Sequence, residues 1–158
     1  MRADGSSKFA KGNRWGFFPA GALAWRISNE DFLKDNQVVS NLKLRVSYGT
    51  SGNDRIDADL YQKLYGVSSS RPAGWGENSH YYYNFYNSKY VYNPDVRWET
   101  TITRNIGFDF GFFKERISGT VDVYWNTVKD LLVPSDIPGY TGYTKLMTNV
   151  GQTSNRGI

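Results

Sequence analysis

The chain has 158 residues, one domain's worth by length, and 19 Lys+Arg against 15 Asp+Glu leave a net charge of +4, too mild a balance to indicate a nucleic-acid partner. The lack of cysteine excludes disulfide scaffolds, Cys-ligated metals and thiol catalysis, and a single histidine, His80, leaves little for metal or triad chemistry. No run approaches the roughly 18 to 20 apolar residues of a spanning helix, whereas 12 Tyr, 9 Phe, 5 Trp and 16 Gly at a mean hydropathy of -0.58 suit a β protein with two differently solvated faces.

Residues 1–13 are polar, with no apolar export segment, so an exported protein is expected to start upstream of this stretch. From Trp15 the pattern alternates: Trp15, Phe17, Pro19, Gly21, Leu23, Trp25 and Ile27, mostly large and apolar, share one parity, and the small or charged Gly16, Ala20, Ala22, Ala24 and Arg26 the other, with Phe18 the exception. Period two is the strand signature, and it predicts a strand over 15–27. Ser28 three residues before Asp31, ahead of Phe32 and Leu33, predicts a short capped helical turn. A second strand is predicted over 42–49, with Leu42, Leu44, Val46 and Tyr48 opposite in parity to Lys43, Arg45, Ser47 and Gly49.

Residues 50–97 form a long Gly-, Ser-, Asn- and Tyr-rich loop with room for short strands near 60–67 and 81–92. Strands over 98–111 and 116–127 follow, joined by a tight hairpin turn. A second long loop, punctuated by Pro134, Pro138, Gly139 and Gly142, covers 130–148 before a run beginning at Asn149. Short turns alternating with long loops are the habit of transmembrane β-barrels.

A soluble carbohydrate-binding β domain is the alternative reading, and strand length weighs against it: these strands alternate over about 8 to 13 residues, near the 9 to 11 a spanning strand needs. Trp15 and Trp25 share a parity ten residues apart, about 33 Å along an extended chain and about 25 Å vertically when tilted near 40°, the height of an outer-membrane apolar band. Trp98 and Phe108 repeat the spacing, and Trp125 would mark a girdle on the last strand. The opposite parity, with Lys43, Arg45, Glu99, Asp109, Asp122 and Asn126, would line a wet interior. A symmetric register for the last hairpin sets Phe110 against Gly119 and Arg104 against Trp125, where a guanidinium can lie on an indole and reach the head-group layer. Closed bacterial barrels begin at about 8 strands, so four to six strands make only part of a wall.

Arg14-Trp15-Gly16-Phe17-Phe18-Pro19, Trp25-Arg26-Ile27-Ser28, and Leu42 through Gly49 with Gly52-Asn53 resemble the SusC/RagA family of TonB-linked outer-membrane proteins. So do Asn93-Pro94-Asp95-Val96-Arg97-Trp98-Glu99-Thr100-Thr101, Asn105 through Gly111, Arg116 through Asp122, Asp130-Leu131-Leu132, Asn149-Val150-Gly151 and Asn155-Arg156-Gly157-Ile158. Arg104 departs from the family pattern, which more often has an aromatic or neutral residue there.

The resemblance implies an all-β fold of antiparallel up-and-down strands, part of a 22-stranded transmembrane β-barrel with long extracellular loops, of which residues 1–158 are a fragment. It implies the Gram-negative outer membrane, contact with its lipid, and import of oligosaccharides, glycans or peptides. A SusD-like surface lipoprotein would serve as lid, and TonB would act through regions outside this stretch.

No catalytic set is expected. Gly74-Trp75-Gly76 lacks the third glycine and the context of a dinucleotide site, and Asp54, Asp57 and Asp59 lack the glycine and glutamate of a calcium loop. Glu99 and Asp109 lie about 33 Å apart on one strand, against the roughly 5 to 9.5 Å of glycoside hydrolysis, and pairing with basic residues of neighbouring strands is their expected role. Neither a metal nor a cofactor is expected. The candidate substrate-binding residues are Trp75, Tyr81, Tyr82, Tyr83, Phe85 and Tyr86, whose rings can stack on sugars while Tyr hydroxyls, Asn78 and Asn84 supply hydrogen bonds. Packing of the same rings within the loop or against a lid protein is the competing role.

Overall fold

A computed structural model describes residues 1–33, 36, 38–75, 80–87 and 89–158, with 65–75 and 80–87 at the level of backbone and strand pairing. In chain order the strands are β1 (Arg2–Gly5), β2 (Trp15–Phe18), β3 (Ala20–Arg26), β4 (Val39–Asn53), β5 (Tyr65–Trp75), β6 (His80–Asn87) and β7 (Tyr90–Val91). They continue as β8 (Glu99–Phe112), β9 (Ile117–Lys129), β10 (Leu132–Asp136), β11 (Lys145–Asn149) and β12 (Gln152–Gly157).

One five-stranded antiparallel sheet, ordered β12-β9-β8-β4-β3, is the frame. Each strand lies beside its predecessor in the sheet, an up-and-down meander in which β4, β8 and β9 run 15, 14 and 13 residues. Such lengths exceed the usual 5 to 6 residues of soluble strands and suffice to cross a bilayer obliquely. The β8–β9 connection occupies only residues 113–116, whereas 54–98 and 130–151 both leave from the other end of the sheet.

The tight turn is unusual: Phe113, Lys114 and Glu115 all take positive φ, at 54, 56 and 64°. Non-glycine residues resist that region. Hydrogen bonds from outside the turn offset the cost, since Phe113 N–H donates to Val38 O at 2.8 Å and Lys114 N–H to Ser40 Oγ at 2.7 Å.

Register sorts side chains into two faces, because partners across a ladder point the same way. One face carries the rows Trp25–Leu44–Phe108–Val121 and Leu23–Val46–Ile106–Val123. Leu23 is 80% and Trp25 50% exposed, and Val46, Ile106, Phe108 and Val121 are exposed with them. A continuous apolar sheet face open to the surroundings marks contact with something other than water. Phe108, Phe110 and Phe112 stack along β8 with centroids 6.3 and 5.8 Å apart. Phe110 lies across from Gly119 and over it, so near that a Cβ there would meet the ring at 2.7 Å.

Several sequence expectations change. The strand expected over 15–27 is broken at Pro19, whose ring removes the ladder donor: β2 pairs with β1, and β3 alone joins β4. Trp15 and Trp25 therefore sit on different ladders. Trp98 is not a girdle residue, because it packs edge-on against Phe18 at 5.6 Å and against Phe9 at 5.3 Å. The Ser28 turn is a short 3-10 segment, Ile27–Asn29, with no side-chain cap. Arg104 does stand across from Trp125, yet its guanidinium lies over the Tyr48 ring at 6.0 Å. Finally, the strands expected inside 50–97 are present with other bounds, β5 and β6 forming a separate hairpin, whereas the second long loop, expected without strands, contributes β10 and β11 to a small mixed sheet with β7.

Candidate functional site

The second sheet face is built around one row. Register places Arg45 across from Gly107 and Gly107 across from Asp122, with Asp109 one row away beside Lys43. Glycine at the centre lets the guanidinium lie across the sheet, since a Cβ on Gly107 would come within 2.5 Å of Asp122 Oδ1 and 2.7 Å of Arg45 Nη2. Arg45 then donates two bonds of 2.9 Å to Asp109, the fork geometry that guanidinium and carboxylate share, and a longer 3.2 Å bond to Asp122. Thr120 Oγ1 donates to Asp109 at 3.1 Å. Arg45, Asp109 and Asp122 of the expected wet face are thus brought together. Asn126 lies nearer the loops with its Oδ1 buried and unpartnered among the described residues.

Glu99 departs from expectation. Its carboxylate accepts from Asn53 Nδ2 at 2.9 Å and from Leu132 N–H at 3.0 Å, tying β4 to β10 through neutral donors instead of a basic residue.

At the long-loop end the chain makes a hydrophobic core separate from the sheet faces. Phe9, Ile56, Leu60, Val96 and Met147 are buried together, with Tyr90, Trp98 and Leu132 against them. The segment 93–99 is its hub. Asn93 Nδ2 donates to Met147 O at 2.9 Å, Val96 enters the core, and Trp98 Nε1 donates to Arg14 O at 3.1 Å. Asn149 accepts from Arg97 N–H at 2.9 Å and donates to Arg97 O and Asp130 O at 2.9 and 2.8 Å, and Arg97 pairs with Asp130 at 2.7 Å. Four separate stretches of chain are thereby fastened into one platform above the sheet. No local periodicity marks Phe9, Ile56, Leu60 or Met147 as core; the family-like strings at 93–101 and 149–151 were the available signal.

The candidate substrate residues fall on the β5–β6 hairpin. Trp75 pairs with His80, Tyr81 with Gly74, Tyr82 with Ala73, Phe85 with Val67 and Tyr86 with Gly66, while Tyr83 falls at a register shift. Their side chains, and Asn78, lie outside the described residues. Asp54 accepts from Ser6 Oγ at 2.8 Å and Asp59 from Gln62 Nε2 at 3.1 Å, and the described residues hold no cluster of three metal-ligating groups.

A long-stranded antiparallel meander, apolar on one exposed face and ion-paired on the other, with a tight turn at one end and built-up loops at the other, is the wall of a transmembrane β-barrel. Residues 1–158 match the family model "TonB dependent receptor-like, beta-barrel" throughout, and the chain belongs to that family of outer-membrane proteins. It is similar to the TonB-dependent receptor SusC of Bacteroides thetaiotaomicron, 43% identical over 161 residues that take in 100% of this chain and 16% of SusC. A TonB-dependent receptor of Formosa agariphila is 38% identical over 99% of this chain and 14% of its own length. Among solved structures, the RagAB peptide importer superimposes in its closed-closed state with a TM-score of 0.78 at 31% identity, covering 98% of this chain and 16% of the importer chain. Its open-open state gives 0.74 at 30% identity, with 95% and 15% covered. The chain therefore spans about a sixth of the length of these relatives, and the soluble carbohydrate-binding alternative is set aside by the apolar outer face and the family.

Proposed function

We propose that this chain is a section of barrel wall in a transporter that imports large nutrients, oligosaccharides or peptides, across the outer membrane. The observation that carries the reading is the sheet's two-sidedness, lipid-compatible outside and ion-paired inside, in a chain 43% identical to SusC. A barrel of about 22 strands would put the Arg45 row in a plugged lumen. Energy would come from TonB, and a SusD-like lipoprotein would cover the long-loop end. The likeness to RagAB, whose structure is that of a peptide importer, supports peptide as one cargo class. The aromatic content of β5 and β6 supports glycans as the other.

Loop length sets the orientation: the ends bearing 54–98 and 130–151 face outside the cell and the 113–116 turn faces the periplasm. Tyr140, 91% exposed between β10 and β11, offers the check. In the full-length protein otherwise freed of cysteine, Tyr140→Cys should react with a membrane-impermeant maleimide on intact cells; labelling only after lysis would reverse the orientation. Transport is tested by replacing residues 65–87 of the full-length protein with a short Gly/Ser linker and measuring growth on glycans or peptides as limiting nutrient. Growth should fall while the barrel still assembles, and unchanged growth on every nutrient the parent uses would remove β5–β6 from the substrate path.

A further inference from the structure

The outward face is not apolar to its loop end. Across from Tyr48, Arg104, Trp125 and Arg156 form one ladder row, followed by Ile102, Thr127 and Ser154 and then by Thr100, Lys129 and Gln152. Three cations and several hydroxyls thus replace the aliphatic rows within the last few residues. Arg104, Arg156 and Lys129 are exposed, and among the described residues none has a carboxylate within ion-pair distance. Arg104, Trp125, Thr127, Ser154 and Arg156 line one open groove on the sheet.

Position decides what such a groove can hold. From Ile117 at the turn to Trp125 is eight residues, about 26 Å of extended strand and about 20 Å vertically at a tilt near 40°, against an outer-membrane apolar band of roughly 25 Å. The Arg104 row therefore lies at the loop-side margin of the band, within a side chain's reach of the head groups. A guanidinium there needs an anion, since its five donors face a surface with few protein acceptors. Two arginines flanking an indole give fork-shaped donors for phosphate oxygens, hydroxyls from Thr127 and Ser154 add bonds, and the Trp125 ring can pack against the adjoining acyl chain.

We propose that this row is a binding site for the phosphate groups of the outer-leaflet glycolipid, lipid A. The assignment of the leaflet rests on the orientation given above, which Tyr140→Cys labelling reads independently. Arg104 and Arg156 grip the phosphate and Lys129 supplies a third cation two rows further towards the loops.

The test uses the full-length receptor extracted from outer membranes, with binding of purified lipid A followed by native mass spectrometry. Phosphorylated lipid A should bind the parent, and the same lipid after phosphatase treatment should bind at least about ten-fold more weakly. Arg104→Gln with Arg156→Gln should abolish that difference while nutrient-dependent growth persists. Arg104→Lys with Arg156→Lys, which keeps charge without the fork, should retain part of it, and the single Lys129→Gln guards against a double variant that fails to assemble. Equal binding of the two lipids by the parent, undiminished binding by the double Gln variant, or full displacement of lipid by millimolar inorganic phosphate would overturn the proposal. Unchanged growth of the 65–87 replacement, with phosphate-dependent lipid binding intact, would count against the transport reading alone.

Discussion

At Gly107 the absence of a single methyl group lets Arg45 reach two carboxylates on different strands. The triad stays partly open to solvent, which screens its ion pairs, so they add little to stability. The atoms a Cβ at Gly107 would meet are the far ends of Arg45 and Asp122, which can swing aside without moving the backbone, so a branched side chain there breaks the pairing rather than the strand. Gly107→Val and Arg45→Met are therefore expected to lower the stability of the full-length barrel by similar, small amounts, as read from urea unfolding followed by heat-modifiable gel mobility. A much larger loss for Gly107→Val would show that space, not charge, fixes this row.

Elements at the loop end are held by few groups that each do several things. Asn149 makes three hydrogen bonds that join Arg97 to Asp130, and two of the partners are backbone groups of residue 97. Water can take over the two exposed bonds to residue 97, so Asn149→Ala costs about 0.5 to 1.5 kcal/mol, chiefly through the part-buried Asp130 O. Trypsin should then cut at Lys145 or Lys89 about two- to ten-fold faster, since cleavage tracks the open population, while the barrel keeps its heat-modifiable mobility. Trp98→Ala should loosen the same platform, because its contacts with Phe9 and Phe18 bridge the N-terminal hairpin to the core. Protection of 9–18 and 93–99 in hydrogen exchange would fall together if the platform is one unit. Separate loss would show two.

For the molecule as a whole, the five-stranded sheet ends in β3 on one side and β12 on the other, and each lacks a neighbour on its outer flank among the described residues. Unpaired strand edges beside an exposed apolar face are a template for association, and edges are not tolerated in lipid. Residues 1–158 expressed alone in aqueous buffer are expected to aggregate, and light scattering of the purified segment measures it. A monodisperse, cooperatively unfolding monomer without detergent would contradict the barrel-wall assignment.

The strands and their faces were legible in the sequence because period two is a local property: each residue of β4, β8 and β9 needs only its neighbours to declare its side. Even the pairing of Phe110 with Gly119 followed, since a four-residue turn leaves few registers. Residues 15–27 misled because continuous alternation hid the break that Pro19 imposes on hydrogen bonding. Trp98 misled because parity assigns a face without saying what covers it, and Phe9 and Phe18 come from another part of the chain. The platform of Phe9, Ile56, Leu60, Val96 and Met147 joins residues up to 138 positions apart and has no period to read. By itself, then, the sequence determined a long-stranded sheet with one apolar and one polar face. Only the tertiary structure decided which loops fuse into a core, that Glu99 ties β4 to β10, and that Arg104 and Arg156 share a row, because each depends on register and contact between distant segments.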